Sequence, residues 1–217
     1  LDYNLWLGPA AEQAYHGNLV HYNWHWFWET GNGDTGNQGV HEMDVARWAI
    51  KGATMPKSVW SIGGRFGYED QGETPNTQMA VYEYDEALLI FETRGLVGKH
   101  NIPRVVKNEY YTTEGKITGG KFYPKNGGKA VGLDNLGGEV QPGGPFGNFI
   151  DCVRSRKRDH LNADVAEGHY SSALCHLGNI SYRTGEKEAF DLKSRKFHKN
   201  PQVSEGFEAL NDNLKGI

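Results

Sequence analysis

The sequence has little of what marks a disulfide-stabilised, membrane-spanning or nucleic-acid-binding protein. Its only two cysteines, Cys152 and Cys175, lie far apart among apolar neighbours. We therefore interpret both as reduced core residues, not as a disulfide framework or a metal site. No run of 18 apolar residues is present, which excludes a transmembrane helix. The formal net charge of −4 argues against the clustered basic face that nucleic-acid binding requires.

Hydrophobic residues are also scarce, at 37%, but aromatic residues reach 12%, so we expect a core rich in aromatic rings. A length of 217 residues fits one large domain, and we expect 1–217 to form a single domain with a linker-like segment at 1–20. The chain begins at Leu1 without an initiator methionine and without a visible signal peptide. We therefore expect it to be a piece of a longer protein.

The most informative stretch is 31–44, which opens with a glycine-rich run, GNGDTGN at 31–37. We predict this run to be an irregular loop. A helix is predicted at 41–49, with Val45, Trp48 and Ala49 as its apolar stripe. His41 and Asp44 lie in its first turns, where a helix offers unpaired N–H groups and a positive dipole end. Histidine exchanges protons near neutral pH, so the pattern favours a polar small-molecule site. The alternative is an ordinary capped helix whose His41 and Asp44 face solvent or each other.

The remaining periodicity predicts an α+β fold, a mostly antiparallel open sheet with helices on one face. Aromatic residues alternate over 21–29, which is typical of a strand, and a tight hairpin is predicted at 84–87. We expect an irregular loop at 124–144. The other predicted strands are 57–66, 77–84, 88–94 and 107–113, and the other predicted helices are 146–158, 164–184 and 204–214.

Apolar residues fall on both parities of these strands, so both faces of the sheet should be apolar. A second apolar face requires a cover, and we expect a partner subunit to provide it. The alternative cover is the segment 114–144, folded over the same face.

Residues 31–36 match the dinucleotide fingerprint G-x-G-x-x-G letter for letter. That motif requires a helix that starts at the glycines and a surrounding parallel sheet. Here the following strands are joined by hairpins, so we reject the match. We expect no Rossmann domain in this chain and no cofactor bound to it alone.

Several stretches of the chain together resemble one family. The run G-x-G-x-x-x-N-x-G-x-H-x-x-D is in register with GGG-x-x-x-D-x-G-x-H-x-x-D of the Gfo/Idh/MocA oxidoreductases. The resemblance covers essentially the whole chain, and the chain is similar in pattern to a bacterial branch of that family. The other matching stretches are LDYNLWLGPA at 1–10, GGRFGY at 63–68, TPNTQ at 74–78, FETRGL at 91–96 and NADVAEGHYSSALCHLGNISYRTG at 162–185.

The resemblance implies a two-domain protein of which this chain is the second domain. In the family, an N-terminal Rossmann domain binds NAD or NADP. The C-terminal open-sheet domain, similar to that of dihydrodipicolinate reductase, holds a sugar or polyol and makes the oligomer contacts. The implied partners are thus the chain's own N-terminal Rossmann domain and further copies, joined through the open sheet face. The implied location is bacterial, cytoplasmic or periplasmic, and the fragment alone should be inactive.

The resemblance also assigns chemical roles. His41 corresponds to the acid/base that takes the proton of the substrate hydroxyl, and such a task suits a histidine. Asn37 stands where the family carries a carboxylate, and an amide can hold a hydroxyl but cannot accept its proton. Asp34 or Asp44 can compensate as substrate-binding carboxylates. The change also leaves open a redox-neutral glycoside hydrolase or lyase on this scaffold, or a non-catalytic oligomerisation module.

Two aromatic or basic candidates have equally plain structural interpretations. Trp26 can stack on a sugar face or belong to the core. Arg65 can bind an anionic substrate or form a surface ion pair with Glu69. Asp44 can likewise pair with Arg47, three residues further along the helix.

The histidines outside the glycine run are weaker candidates. His169 and His176 share one face of the predicted helix at 164–184, where they can reach the sugar pocket or satisfy buried polar groups. His21 and His25 have the spacing of a zinc pair, but that spacing needs a helix and the aromatic alternation favours a strand. We therefore expect no metal site.

Overall fold

The computed structural model describes residues 1–96, 105–133 and 143–185, together with the backbone of 188–191 and 196–198. The predicted helix at 204–214 lies outside the described residues. The chain divides into two compact units, Leu1–Arg104 with Ser172–Ile217, and Val105–Ser171, which we describe separately.

The regular elements follow one another in the order helix, helix, helix, strands, helix, helix, strands. The helices are α1 (Tyr3–Leu7), α2 (Gly33–Asn37), α3 (Gly39–Trp48), α4 (Gly144–Ser155) and α5 (Val165–Thr184). The strands are β1 (Ser58–Gly64), β2 (Thr77–Glu83), β3 (Leu88–Arg94), β4 (Glu109–Tyr111), β5 (Gly115–Thr118), β6 (Lys121–Pro124), β7 (Val131–Gly132), β8 (Glu188–Asp191) and β9 (Lys196–His198).

The first unit contains a five-stranded antiparallel sheet in the order β3–β2–β1–β8–β9. The predicted hairpin is confirmed, since the Tyr84 amide donates to the Ala87 carbonyl over 2.9 Å. Side chains alternate across the three long strands, and the row Val59, Tyr82 and Leu89 faces inward and is buried. Antiparallel sheets joined by hairpins and accompanied by helices confirm the α+β class, and no parallel Rossmann-type sheet occurs in the described part.

The core of this unit lies between the inner sheet face and two helices. Leu174, Cys175 and Leu177 of α5 and Met43 of α3 pack in one buried cluster with the inner row. The Tyr82 hydroxyl donates to the Leu174 carbonyl over 2.9 Å, which ties α5 to the sheet. Burial raises the pKa of the Cys175 thiol to about 12. Both cysteines are buried, as predicted, and they are not joined in a disulfide.

The outer face of the same sheet carries large apolar side chains that remain exposed. The prediction that both faces are apolar is confirmed. The exposed members are Trp60, Ile62, Met79, Leu88 and Ile90. What covers this face stays a prediction.

The aromatic segment at 21–29 is not a strand, contrary to our prediction. Asn23–Trp26 forms a 3₁₀ turn, and the amide of Phe27 donates to the Trp24 carbonyl over 3.3 Å. The rings pack on one another, with 4.0 Å between the centroids of His25 and Trp26. The alternating aromatic rings therefore pack on one another within the turn. A hydrophobic pattern that repeats every two residues was not sufficient evidence for a strand.

The glycine-rich run is also more regular than predicted, since α2 occupies Gly33–Asn37. Gln38 keeps helical angles between α2 and α3, with φ −80° and ψ −37°. The predicted apolar stripe was wrong, because Val45 and Trp48 are exposed. The buried face instead repeats every fourth residue at Thr35, Gly39, Met43 and Arg47.

The second unit contains a four-stranded antiparallel sheet in the order β4–β5–β6–β7. The predicted strand at 107–113 belongs to this sheet, not to the first one, and is shorter. The predicted irregular loop at 124–144 contains β7, while 134–142 lie outside the described residues. The sequence missed β5 to β7 because strands of two to four residues give too few positions to establish alternation.

The two predicted C-terminal helices are present as α4 and α5. Asp164 caps α5, since its Oδ1 accepts a hydrogen bond of 3.0 Å from the Ala166 amide. The Arg158 guanidinium binds the same carboxylate. Among the described residues, no helix is both long enough and apolar enough to cross a membrane.

Candidate active site

Four of the predicted site residues lie on one face of α2 and α3. Asp34, Asn37, His41 and Asp44 are separated by three, four and three residues, and the helical backbone of Gln38 keeps the two helices in phase. At 100° per residue, the four positions fall within an arc of about 80°. The opposite face is the buried one, so the fold gathers these four polar groups along a single accessible stripe.

Asn37 and His41 occupy the centre of this polar stripe, and both are exposed. Asn37 is the last residue of α2 and His41 the third residue of α3. Residues four apart on a helix have Cβ atoms about 5–6 Å from each other. A substrate hydroxyl can therefore contact the amide and the imidazole at the same time.

The two carboxylates at the ends of the polar stripe are each held by an indole. Asp34 Oδ1 accepts from Trp26 Nε1 over 3.4 Å, and Asp44 Oδ1 accepts from Trp48 Nε1 over 3.2 Å. Asp44 also lies 3.6 Å from Arg47 Nη2, so the predicted pair with Arg47 is present. Trp26 is therefore half-buried beside the stripe, in a 3₁₀ turn and not in a strand.

Arg65 lies near the Asp34 end of the polar stripe but already has hydrogen-bond partners. Its Nε donates to Asp70 Oδ1 over 2.6 Å and its Nη1 donates to the Thr74 carbonyl over 2.9 Å. The hydrogen bond that Arg65 donates to Asp70 is the main reason that the pKa of Arg65 is raised, and Asp34 adds a smaller electrostatic contribution. Arg65 thus forms its ion pair with Asp70, whereas from the sequence alone we considered Glu69 as the partner. The Arg65 guanidinium, through its hydrogen bonds to Asp70 and to the Thr74 carbonyl, stabilises the 65–74 loop.

His169 and His176 both lie on α5, as predicted, but in different units. His169 is exposed, with its ring centroid 5.7 Å from that of Tyr170. His176 retains an exposed surface, although neighbouring atoms desolvate the ring enough to lower the imidazole pKa. A substrate-binding role for either histidine stays a prediction.

The glycine run is packed against its own chain, which leaves no dinucleotide cradle there. Gly33 has φ +70°, and a Cβ at this position would lie 2.8 Å from the Thr74 side chain. A Cβ at Gly31 would collide with the backbone of His25, and one at Gly36 with the side chain of Asn32. The glycines therefore serve close approaches within the protein. The rejection of the fingerprint is consistent with these contacts.

His25, one of the two histidines with zinc-like spacing, is engaged by the backbone. Its Nδ1 lies 2.8 Å from the Tyr22 carbonyl, which can only accept, so the ring donates. In the described ranges, no three His, Cys, Asp or Glu side chains lie close enough together to hold a metal ion.

Sequence reasoning missed a set of buried polar residues beneath the glycine run. Gln78 accepts a hydrogen bond from Thr35, and Asn179 donates to the Asn32 carbonyl. Gln78 falls in the TPNTQ stretch and Asn179 in the long C-terminal stretch that carried the family resemblance. The stretches were visible in the sequence, but their convergence on one loop required the tertiary structure.

The comparison with protein-family models gives one match, which covers residues 1–210. The matching model is that of the Gfo/Idh/MocA oxidoreductase family, C-terminal alpha/beta domain. None of the curated proteins matches the chain.

Solved structures resemble the fold at low sequence identity. They include the WlbA dehydrogenase of Bordetella pertussis with NADH and UDP-GlcNAcA (TM-score 0.52, 18% identity, 78% of this chain and 48% of that chain). They also include GenD2 of gentamicin A biosynthesis with NAD (0.53, 14%, 79% and 52%). A third is an Agrobacterium radiobacter oxidoreductase with NAD+, L-tartaric acid and magnesium (0.51, 13%, 70% and 47%). The chain spans about half the length of each of these proteins.

Proposed function

Because the chain belongs to the Gfo/Idh/MocA oxidoreductase family as its C-terminal alpha/beta domain, we propose that it is the substrate-binding domain of an NAD(P)-dependent oxidoreductase. The reaction is the oxidation or reduction of a hydroxyl-bearing carbon of a sugar or polyol. The observation that carries the proposal is the polar stripe, with His41 and Asn37 accessible between two indole-held carboxylates.

The chain's own contribution is to bind the hydroxyl and to move its proton. The Asn37 amide donates to the hydroxyl oxygen, and the unprotonated imidazole nitrogen of His41 accepts its proton while the carbon is oxidised. In the reverse direction the imidazolium returns that proton to the alkoxide oxygen. Asp34 and Asp44 accept hydrogen bonds from neighbouring hydroxyls of the same substrate, since the two oxygens of an ionised carboxylate together accept about four hydrogen bonds.

The cofactor is assigned to a separate N-terminal Rossmann domain of the intact protein. The described residues do not fit a dinucleotide, because the glycines pack on their own chain and the sheets are antiparallel. When bound, the dinucleotide would exchange a hydride with the substrate carbon. The solved relatives bound to NADH or NAD support this cofactor class for the intact protein.

The substrate class is supported by the chemistry of the polar stripe. It combines hydroxyl-binding amide and carboxylate groups with the exposed ring of Trp48, and sugars bind through this combination of hydrogen bonds and aromatic contact. The relative solved with a nucleotide sugar makes UDP-GlcNAcA a reasonable first substrate to test, beside a panel of free sugars and polyols.

The test is His41→Ala in the intact two-domain protein. We expect turnover to fall by about 10²-fold or more, because a general base contributes roughly 10²–10⁴-fold. The measurement is steady-state formation of NADH from NAD+ across the substrate panel. Glu42→Gln is the matched control, since it changes the next residue of α3 about 100° around the helix and should keep turnover near that of the unmodified protein.

Near-normal turnover of His41→Ala would remove this residue from the mechanism. If the intact protein instead forms no product at all and binds sugars with no dependence on His41, a non-catalytic binding and assembly module would be the better description.

A redox-neutral glycoside hydrolase or lyase is a second candidate, favoured by Asn37 in place of the family carboxylate. Such an enzyme oxidises, eliminates and re-reduces its substrate, so its cofactor is not consumed. It predicts a flat NADH absorbance while product accumulates, measured by chromatography of the same reaction. Net NADH formation in step with product would instead support the dehydrogenase. Asn37→Asp should then raise that rate by restoring a second proton acceptor.

We further propose that the intact protein is a homo-oligomer joined through the outer face of the five-stranded sheet. The face presents Trp60, Ile62 and Ile90 to solvent, and contiguous apolar patches of this kind mark interaction surfaces.

A further inference from the structure

Three stretches that are distant in the sequence meet in one buried hydrogen-bond network beneath the glycine run. The Thr35 hydroxyl donates to Gln78 Oε1 over 2.8 Å. Gln78 Nε2 lies 3.3 Å from Asn179 Oδ1, and Asn179 Nδ2 donates to the Asn32 carbonyl over 2.8 Å. The chain of bonds therefore starts at Thr35 and returns to Asn32, only three residues away, after passing through β2 and α5.

The orientation of both amides in this network is fixed by groups that can act in only one way. Gln78 Nε2 also lies 3.4 Å from the Gly178 carbonyl, which can only accept, and 3.0 Å from Ser61 Oγ. The nitrogen of Gln78 must therefore face α5, and its oxygen must face Thr35. Gln78 is only 3% exposed, so water does not replace these partners, and a buried amide with all partners in place specifies one arrangement.

We propose that Gln78 and Asn179 are positioning residues that clamp the glycine segment 32–35 and thereby set the placement of Asn37 and His41. The effect of this clamp on catalysis rests on the proposed function. The clamp itself is inferred from the hydrogen bonds described above and does not depend on that function.

The segment depends on such a clamp because its own residues contribute little to the stability of its conformation. Gly31, Gly33 and Gly36 have no side chains to pack, and glycine loses more backbone entropy on ordering than other residues. Helix α2 is only five residues long, so it cannot be stable by itself. Thr35 is its one fully buried side chain of appreciable size, and Thr35 binds Gln78.

The polar stripe would move if the clamp were lost. Asn37 lies two residues after Thr35, and a shift of one residue along a helix rotates each side chain by 100° and moves it by 1.5 Å. Displacements of about 1 Å at reacting groups are enough to impair catalysis. The clamp therefore controls the part of the stripe that holds the substrate hydroxyl.

The experiment compares variants of the full 217-residue chain by ¹H–¹⁵N NMR. Gln78→Met and Asn179→Leu each replace one clamp amide by an apolar side chain of similar size. We expect amide hydrogen exchange at residues 33–39 to accelerate by about tenfold or more, since each leaves a buried partner unsatisfied. The ring resonances of His41 should shift or broaden in both variants.

Ser181→Ala is the matched control. Ser181 is fully buried on α5, and its Oγ accepts from the Ser61 amide over 3.0 Å. Its loss removes a helix-to-sheet hydrogen bond without touching segment 32–35. We expect a lower melting temperature but no change in exchange at 33–39 or in the His41 ring signals.

Milder variants at Thr35 keep the test decisive if a clamp variant does not fold. Thr35→Val replaces the hydroxyl by a methyl group and should accelerate exchange, whereas Thr35→Ser retains the hydroxyl and should behave like the unmodified chain. The inference is overturned if the clamp variants or Thr35→Val behave like Ser181→Ala. That outcome is independent of the turnover of His41→Ala, so failure of the clamp and failure of the proposed function can be told apart.

Discussion

A single methyl group at Gly39 tests how closely α3 approaches the sheet. A Cβ built at Gly39 would lie 2.6 Å from the ring of Phe91 on β3, which is too close for two carbon atoms. Overpacking of this kind costs about 1–3 kcal/mol, more than the roughly 1 kcal/mol that alanine gains over glycine in a helix. We expect Gly39→Ala to lower the free energy of unfolding, measured by urea denaturation.

Gly168 on α5 provides the matched control for that substitution. A Cβ there would meet nothing within 4 Å, so only the helix propensity changes. Gly168→Ala should therefore raise the free energy of unfolding by about 0.5–1 kcal/mol. If Gly39→Ala were equally stabilising, the close contact between α3 and Phe91 would be contradicted.

At the level of residues, part of the polar stripe was predictable and the buried face was not. His41 and Asp44 could be placed together because helical spacing is a local property, whereas Asn37 was predicted in an irregular loop and was joined to them only through the family resemblance. Arg47 is only 4% exposed, and its Nη1 donates to the Ala53 carbonyl over 2.8 Å. Hydropathy does not anticipate a buried arginine, whose placement depends on that later backbone contact.

Helix α5 depends on its first turn, where Asp164 caps the helix and accepts from Arg158. The hydrogen bond from Arg158 is the main cause that lowers the pKa of Asp164 to about 2. The corresponding value in an unfolded chain is about 3.9. Because the folded pKa is the lower one, the carboxylate stabilises the fold above pH 4 or so, and this contribution is lost as the pH falls through about 2.

We therefore expect Asp164→Ala to lower the urea midpoint at pH 7 and to approach the unmodified chain as the pH falls from about 4 toward 2. Asp164→Asn keeps a capping side chain but loses the ion pair, so its midpoint should lie between the other two. A difference between the unmodified chain and Asp164→Ala that stays constant down to pH 2 would contradict the assignment of the shifted carboxyl.

Elements with long, regular patterns were the ones that the sequence located well. β1, β2 and β3 have seven residues each and alternate between a buried and an outer face. The 3₁₀ turn at Asn23–Trp26 shares the same alternation of aromatics but is stabilised by ring contacts within the turn. Distinguishing the two cases requires knowledge of a neighbouring strand, which only the tertiary fold supplies.

At the scale of the whole molecule, the apolar outer face of the five-stranded sheet is the surface through which we propose that copies associate. Trp60, Val81 and Ile90 are aligned across β1, β2 and β3 by the strand register. A soluble monomer rarely leaves such a continuous patch in water, and a second copy can bury it symmetrically.

Ile90→Lys should disrupt this association, because it places a charge in the middle of the aligned row, where burial of an unpaired charge is strongly unfavourable. The measurement is sedimentation velocity of the intact protein over a range of concentrations, with a shift from oligomer to monomer as the expected result. Leu5→Lys is the control, since Leu5 is 81% exposed on α1 and does not belong to the sheet. An oligomer that survives Ile90→Lys as it survives Leu5→Lys would mean that another surface joins the copies, and the apolar outer face would then need a different partner.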